Sequence, residues 1–268
     1  MNATHDGAAF RVGLIQMRSG RSPAANVEAA VALIDAAKRD GADYVQTPEM
    51  TNIMEVKRER LFATITAEDN DPSLAAFRTL ARKLGIFLHV GSLAIKLLPE
   101  KAANRSFLID RQGDIVARYD KIHMFDVDLA GGESYRESLS YRAGEIAVAT
   151  DLPWGRLGLT VCYDLRFPAL YRALAEAGCS FLAIPSAFTQ QTGEAHWHVL
   201  NRARAIENGA FVLAEGGSDP GVILATIDPA EVSAARAKVP SLQHGRGRRV
   251  SQSCWTFLIV TQIDGPFC

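Results

Sequence analysis

Four cysteines are scattered through 268 residues, at positions 162, 179, 254 and 268, and no two are spaced C-x-x-C. That spacing gives no support to a zinc or dithiol redox centre. No apolar run approaches the roughly 20 residues that a membrane helix requires. Residues 1–7 lack the basic and apolar blocks of a signal peptide, so the cytoplasm is the expected compartment. There the thiols stay reduced and the sequons at Asn2 and Asn104 carry no weight. An excess of either charge is also missing. Lysine and arginine total 29 against 30 acidic residues, a net charge of −1. Nothing in that balance draws the chain to nucleic acid or to an anionic membrane.

What is present is an apolar fraction of 48% arranged in alternating patterns. Residues 10–17 form a β-rich apolar run, read as a buried strand. Pro23 and Asn26 open a helix whose apolar positions Val27, Ala30, Val31, Ile34 and Ala37 recur at helical spacing, up to Gly41. Strands are expected at 43–46, 86–90, 105–110, 115–119, 145–149, 156–161, 181–184, 210–213 and 222–227. Helices are expected at 72–84, 168–177, 194–207 and from Pro229 to about Lys238, with Asp228 as cap. Residues 130–140 read as a loop. Strands and helices interleave with several hairpins, which predicts an α/β fold, a mixed sheet flanked by helices. One domain is expected over residues 1–250, with 251–268 as a tail of unassigned role. The basic, glycine-rich segment 243–249 reads as a solvated tail in preference to a nucleic-acid patch.

Three strand ends carry chemistry. Cys162 follows the apolar run Leu157-Gly158-Leu159-Thr160-Val161 and precedes a helix opened by Pro168. A thiol ahead of a helix start is expected to be favoured as thiolate. It lies where open α/β sheets bind ligands, although a buried structural cysteine fits the position equally. Glu49, behind Pro48 at another strand end, has the chemistry to move a proton between a thiol and an amine; alone it reads as a surface glutamate. Lys121 sits ahead of Ile122-His123-Met124-Phe125. Held rigidly it would stabilise an oxyanion, and otherwise it is a snorkelling lysine. His196 and His198 share no helix face, which argues against a metal site. Ser186 lacks a G-x-S-x-G elbow and does not read as a nucleophile. Arg166 suits either bidentate binding of a substrate carboxylate or an ion pair with Asp164.

The ordered motifs resemble the nitrilase superfamily of carbon–nitrogen hydrolases, in its Nit branch of ω-amidase-like and deaminated-glutathione-amidase-like enzymes. Pro48-Glu49 matches its glutamate motif. Tyr119-Asp120-Lys121-Ile122-His123-Met124-Phe125-Asp126-Val127-Asp128 is similar to its lysine motif. Val161-Cys162-Tyr163-Asp164-Leu165-Arg166-Phe167-Pro168 is similar to its cysteine motif. Tyr135-Arg136-Glu137-Ser138 resembles the place of a second glutamate. Ala195-His196-Trp197 and residues 202–208 fit as well. The resemblance runs over residues 10–211 and returns over 215–244. It implies a four-layer α-β-β-α sandwich, usually homodimeric, that needs no metal or organic cofactor. It also implies a Glu49–Lys121–Cys162 triad assisted by Glu137. Cys162 would attack a small amide to form a thioester, releasing ammonia and then a carboxylic acid. Tyr163 would supply an oxyanion N–H, and Ser186, Ala187 and Phe188 with Arg166 would line the pocket.

Two departures stand out. After Ala210-Phe211-Val212-Leu213-Ala214 the chain passes directly to Glu215-Gly216-Gly217-Ser218-Asp219-Pro220, where the family pattern carries an additional hairpin-like segment. Two missing strands would uncover sheet edges and leave the sandwich incomplete after residue 214. Residues 251–268, with the β-prone run Trp255-Thr256-Phe257-Leu258-Ile259-Val260, match nothing in the pattern. Three readings therefore stand: an amidase for a small ω-amido acid, a catalytically impaired homologue acting as an interaction protein, and a nitrilase or N-carbamoyl hydrolase.

Overall fold

The computed structural model describes residues 7–129, 132–188, 190–217 and 219–246. The chain runs β1 (Phe10–Gln16), α1 (Pro23–Arg39), β2 (Tyr44–Gln46), α2 (Arg58–Thr64), α3 (Pro72–Leu84), β3 (Phe87–Leu98), β4 (Lys101–Ile109) and β5 (Ile115–Asp120). It continues through β6 (Asp126–Asp128), β7 (Ser134–Arg136), β8 (Val148–Leu152), β9 (Gly155–Leu159), α4 (Pro168–Glu176), β10 (Phe181–Ala183), α5 (Gln190–Asn208), β11 (Phe211–Leu213), β12 (Gly221–Ile227) and α6 (Ala230–Lys238).

Local chemistry sets the helix ends. Ser22 caps α1 and Asp71 caps α3, each accepting an N–H from the residue three further on, at 3.4 and 2.8 Å. Pro23 and Pro72 follow those caps, where a missing N–H costs nothing. Gly85, at φ +62°, ends α3 in the left-handed conformation that glycine adopts without strain.

Two sheets stack face to face. The first has six strands in the order β12-β1-β2-β3-β4-β5, and the second four in the order β11-β10-β9-β8. Side-chain alternation along β1 shows why they stack. Phe10, Val12 and Leu14 pack between the sheets with Leu108, Leu157, Leu159, Phe181 and Leu213. Ile15 points the other way, into a layer with Ile34 of α1 and Phe77 of α3. On the outer side of the second sheet, Leu170 and Leu174 of α4 pack with Leu182, Ile184, Trp197 and Leu200. The result is the expected four-layer α-β-β-α sandwich.

Several boundaries differ from the sequence reading. The strand expected at 86–90 continues to Leu98, with a register shift between Val90 and Leu93. Gly91 interrupts the β pattern there, but the fully buried run Leu93, Ala94 and Ile95 carries the strand on. The loop expected over 130–140 contains β7, which pairs with β6 through Asp126↔Arg136. Helix α2 was not expected; Leu61 is its one buried residue, too little to mark an amphipathic period. After β11 the chain leaves the second sheet and returns to the first as β12, antiparallel to β1. Among the described residues the second sheet therefore stops at β11. The run Trp255–Val260 and the last three residues of the basic segment 243–249 lie outside the described residues.

The inter-sheet core makes a direct prediction. Phe181 is fully buried and meets Phe10 edge-on at 5.4 Å. Phe181→Ala should lower the unfolding free energy by about 3–5 kcal/mol in a urea titration. Ile146→Ala, at a side chain 74% exposed, should change it by less than about 0.5 kcal/mol.

Candidate active site

The loop after β2 is stitched to β3 along its whole length. Thr47 N–H donates to the His89 carbonyl at 3.0 Å, Met50 N–H to Ser92 Oγ at 2.9 Å and Thr51 N–H to the Ser92 carbonyl at 2.9 Å. The fit requires glycine at position 91. A Cβ there would lie 2.0 Å from the Thr47 oxygen and 2.6 Å from that of Pro48. This seam holds Glu49, whose side chain is 5% exposed.

Lys121 arrives from the end of β5. Its backbone N–H donates to the Asn104 carbonyl of β4 at 3.0 Å, and its own carbonyl accepts from Gly144 at 2.8 Å. The ammonium lies between two carboxylates, 2.9 Å from Glu49 Oε1 and 2.9 Å from Glu137 Oε2. Asn104 Nδ2 donates to the same pair, at 2.8 Å to Glu49 and 3.0 Å to Glu137. Phe125 N–H completes the set with a 2.7 Å bond to Glu137 Oε2. One cation and two neutral donor groups thus hold two buried carboxylates close together.

Cys162 follows β9 at the start of a 3-10 turn over Cys162–Arg166. Its φ is +50°, and Met50 beside Glu49 has +53°; these are the two non-glycine residues of positive φ among those described. Such backbone costs on the order of 1–3 kcal/mol and collects at functional sites. Asp164 fixes the turn. Its carboxylate accepts from Val161 N–H at 2.8 Å, Tyr119 hydroxyl at 2.7 Å and His123 N–H at 3.0 Å, and hydrogen-bonds His123 Nδ1 at 2.7 Å. The cysteine turn is thereby tied to the segment carrying Lys121.

The Cys162 thiol lies beside the Glu49 carboxylate and the Lys121 ammonium. Burial first, and the Glu49 charge second, push it well above an ordinary thiol, against the opposing pull of Lys121. Desolvation therefore works against the thiolate expected from the helix start. Lys121 shows the opposite balance. Burial alone would push its ammonium down, but Glu49, Glu137 and Cys162 together hold it well above an ordinary lysine.

The carbon–nitrogen hydrolase family profile matches residues 11–218. The chain belongs to this family. The hydrolase is 42% identical to a deaminated glutathione amidase of Yersinia enterocolitica, over 76% of this chain and 71% of that protein. It is 35% identical to one of Synechocystis, over 88% of this chain and 97% of that protein. The crystal structure of the Caenorhabditis elegans NitFhit protein superposes with a TM-score of 0.81 at 31% identity. That match covers 89% of the hydrolase and 65% of the NitFhit chain.

Of the residues singled out in the hydrolase sequence, Glu49, Lys121, Glu137 and Cys162 meet in one place. Ala187 joins them, its N–H 2.9 Å from Glu49 Oε2. Ser186 turns away: its N–H donates to Glu215 Oε1 at 3.0 Å and its hydroxyl to the Ile184 carbonyl at 3.2 Å. Arg166 makes no ion pair with Asp164. It lies over the rings of Tyr163 and Phe188 and donates to His196 Nδ1 at 3.3 Å, since Asp164 is already saturated from the other side. Among the described residues no cluster of three or more His, Cys, Asp or Glu is placed to hold a metal.

Asn104 was passed over as a sequon, although an amide on β4 is the donor shared by both glutamates. Gln46 and Glu215 were passed over as well. Alternation does carry a signal for Asn104: with Ser106 it puts polar groups on the buried face of β4 that holds Ala102 and Leu108.

The Gly91 seam is testable without any substrate. Gly91→Ala should lower the unfolding free energy in a denaturant titration by about 1–3 kcal/mol or more, because two carbonyls must shift. Gly221→Ala, where a Cβ meets nothing within 4 Å, should leave the midpoint nearly unchanged.

Proposed function

We propose that this hydrolase cleaves the terminal amide of a small amido acid through a thioester on Cys162. The reading is supported by a buried thiol beside a carboxylate that a buried ammonium holds in place. A thiol pushed up by burial needs a base in contact with it, and Glu49 is that base. It takes the proton as sulfur attacks the amide carbon. The negative charge moves to the carbonyl oxygen, where the Lys121 ammonium and the Tyr163 N–H stabilise it. The tetrahedral adduct collapses, the carbon–nitrogen bond breaks, and Glu49 returns the proton to the departing ammonia. Glu49 then takes a proton from water, hydroxide adds to the thioester, and the acid leaves as the thiol is restored. Glu137 positions Lys121 and, with Asn104, keeps Glu49 in register.

The substrate class rests on two supports. Relatives above 30% identity are named deaminated glutathione amidases, and one of 28% identity is named an omega-amidase. In this chain the Arg166 guanidinium lies at 5.9 Å over Tyr163 and 5.7 Å over Phe188, beside the cysteine turn and the 185–188 loop. A fixed cation there suits the carboxylate at the far end of an amido acid. Phe188 packs against that guanidinium, Ala187 holds Glu49, and Ser186 bonds Glu215 behind them. We further propose a cytoplasmic homodimer in which residues 1–250 form the catalytic unit. The pairing of β12 with β1 supports extending that unit beyond the profile match. No helix of the described residues is long and apolar enough to cross a membrane.

Ammonia release from a panel of ω-amido acids tests the reading. Cys162→Ala should abolish release, and Glu49→Gln should reduce it by about 10³-fold or more while the fold is retained. Carbon dioxide appearing with the ammonia would instead indicate a carbamoyl substrate. Release that survives in Cys162→Ala would end the thioester mechanism.

A further inference from the structure

A second buried carboxyl group, outside the triad, stands behind the wall of the site. Glu215 follows β11 and is 4% exposed. Its Oε1 accepts the Ser186 N–H at 3.0 Å, and its Oε2 the Gln46 Nε2 at 3.2 Å. Ser186 is the residue before Ala187, whose N–H holds Glu49 Oε2. Gln46 is the last residue of β2, three before Glu49 itself. Both arms of Glu215 thus end next to the two sides of one bond, that between Ala187 and Glu49. Gln46 also donates to the Leu213 carbonyl at 3.1 Å, and so joins the first sheet to the second.

We propose that Glu215 is a positioning residue that sets the 185–188 loop against Glu49 and so fixes the base relative to Cys162. The proposal rests on the thioester reading and extends it to the segment where the chain departs from its family's pattern. In that segment the chain passes from Leu213 to β12 in seven residues, which delivers a carboxylic acid between the sheets.

The groups facing Glu215 come from each neighbouring element. Glu49 lies on the loop after β2, and Tyr44 and Gln46 lie on β2. From β3 comes His89, held neutral by burial, which pushes its ring down to about 3. His89 contacts Gln46 Oε1 and Tyr44 hydroxyl at 3.2 and 2.9 Å. Helix α5 brings Trp197 and His198 beside Gly216. Burial first pushes Glu215 up to about 8; the Ser186 N–H, its own backbone N–H and Gln46 oppose, and the Glu49 charge adds to the rise. At neutral pH it is mainly uncharged. Above about pH 8 it ionises and places a second negative charge beside Glu49. A carboxyl raised in the folded state contributes stability that is present below its unfolded value and lost as pH rises through about 8.

Alkylation of Cys162 by iodoacetamide, read by intact mass from pH 6 to 10, tests this without any turnover. Ammonia release is measured in parallel. In the wild type the alkylation rate should show an inflection near pH 8 in addition to thiol titration. Glu215→Ala should slow alkylation about tenfold or more at pH 7, since small misplacements of reacting groups are costly. Glu215→Gln copies the uncharged acid; it should recover most of that rate and lack the inflection. Alkylation rates and pH profiles matching wild type in both variants would overturn the proposal. So would a Glu215→Ala protein that melts earlier yet keeps the wild-type profile. Wild-type protein that alkylates as described but releases no ammonia would sink the amidase reading and leave the positioning role standing.

Discussion

Everything at the site depends on one ammonium held between two buried carboxylates. Lys121 is 2% exposed, and its partners Glu49 and Glu137 are 5% and 12% exposed. Separately, each of these groups would be costly to remove from water. Together, with Asn104 and two backbone N–H groups, they form a set in which every carboxylate oxygen has a donor. The sandwich exists in part to make that set possible. β2, β4 and β5 belong to one sheet, the cysteine turn and Ala187 to the other, and the site forms where their ends meet.

In the proposed mechanism a carboxylate suits the task of base. Burial pushes the Cys162 thiol up, so the proposed attack needs a proton acceptor beside it. Glu49 cannot relax away from it, because Lys121 and Asn104 hold one oxygen and Ala187 the other. The positive φ at Cys162 and at Met50, next to Glu49, places the two side chains at tight turns. Rigid positioning, more than an exceptional charge on any one group, is what the surrounding hydrogen bonds provide.

The layers were legible in the sequence because apolar alternation and helix caps are local signals. Phe10, Val12 and Leu14 declare one face of β1, and Ser22-Pro23 and Asp71-Pro72 declare helix starts. The residues Glu49, Lys121 and Cys162 stood out as contiguous motifs at strand ends. The supporting side chains did not. Asn104, Gln46, Asp164 and Gly91 matter through cross-strand register and the meeting of two sheets, which no short window contains. Thiolate character at Cys162 was expected from a helix start, a local argument, and is opposed by burial, a global one. Glu215 is the furthest case. Its surroundings arise only because the connection from Leu213 to β12 carries it between the sheets.

The central claim is that Lys121 and Glu49 are one electrostatic unit, and a double-mutant cycle on folding stability at pH 7 measures it directly. Lys121→Met should cost about 3–5 kcal/mol, because it leaves two buried carboxylates without their cation. Adding Glu49→Gln to that variant should restore part of the loss by removing one uncompensated charge. Two losses that simply add, with no recovery in the double variant, would contradict the account.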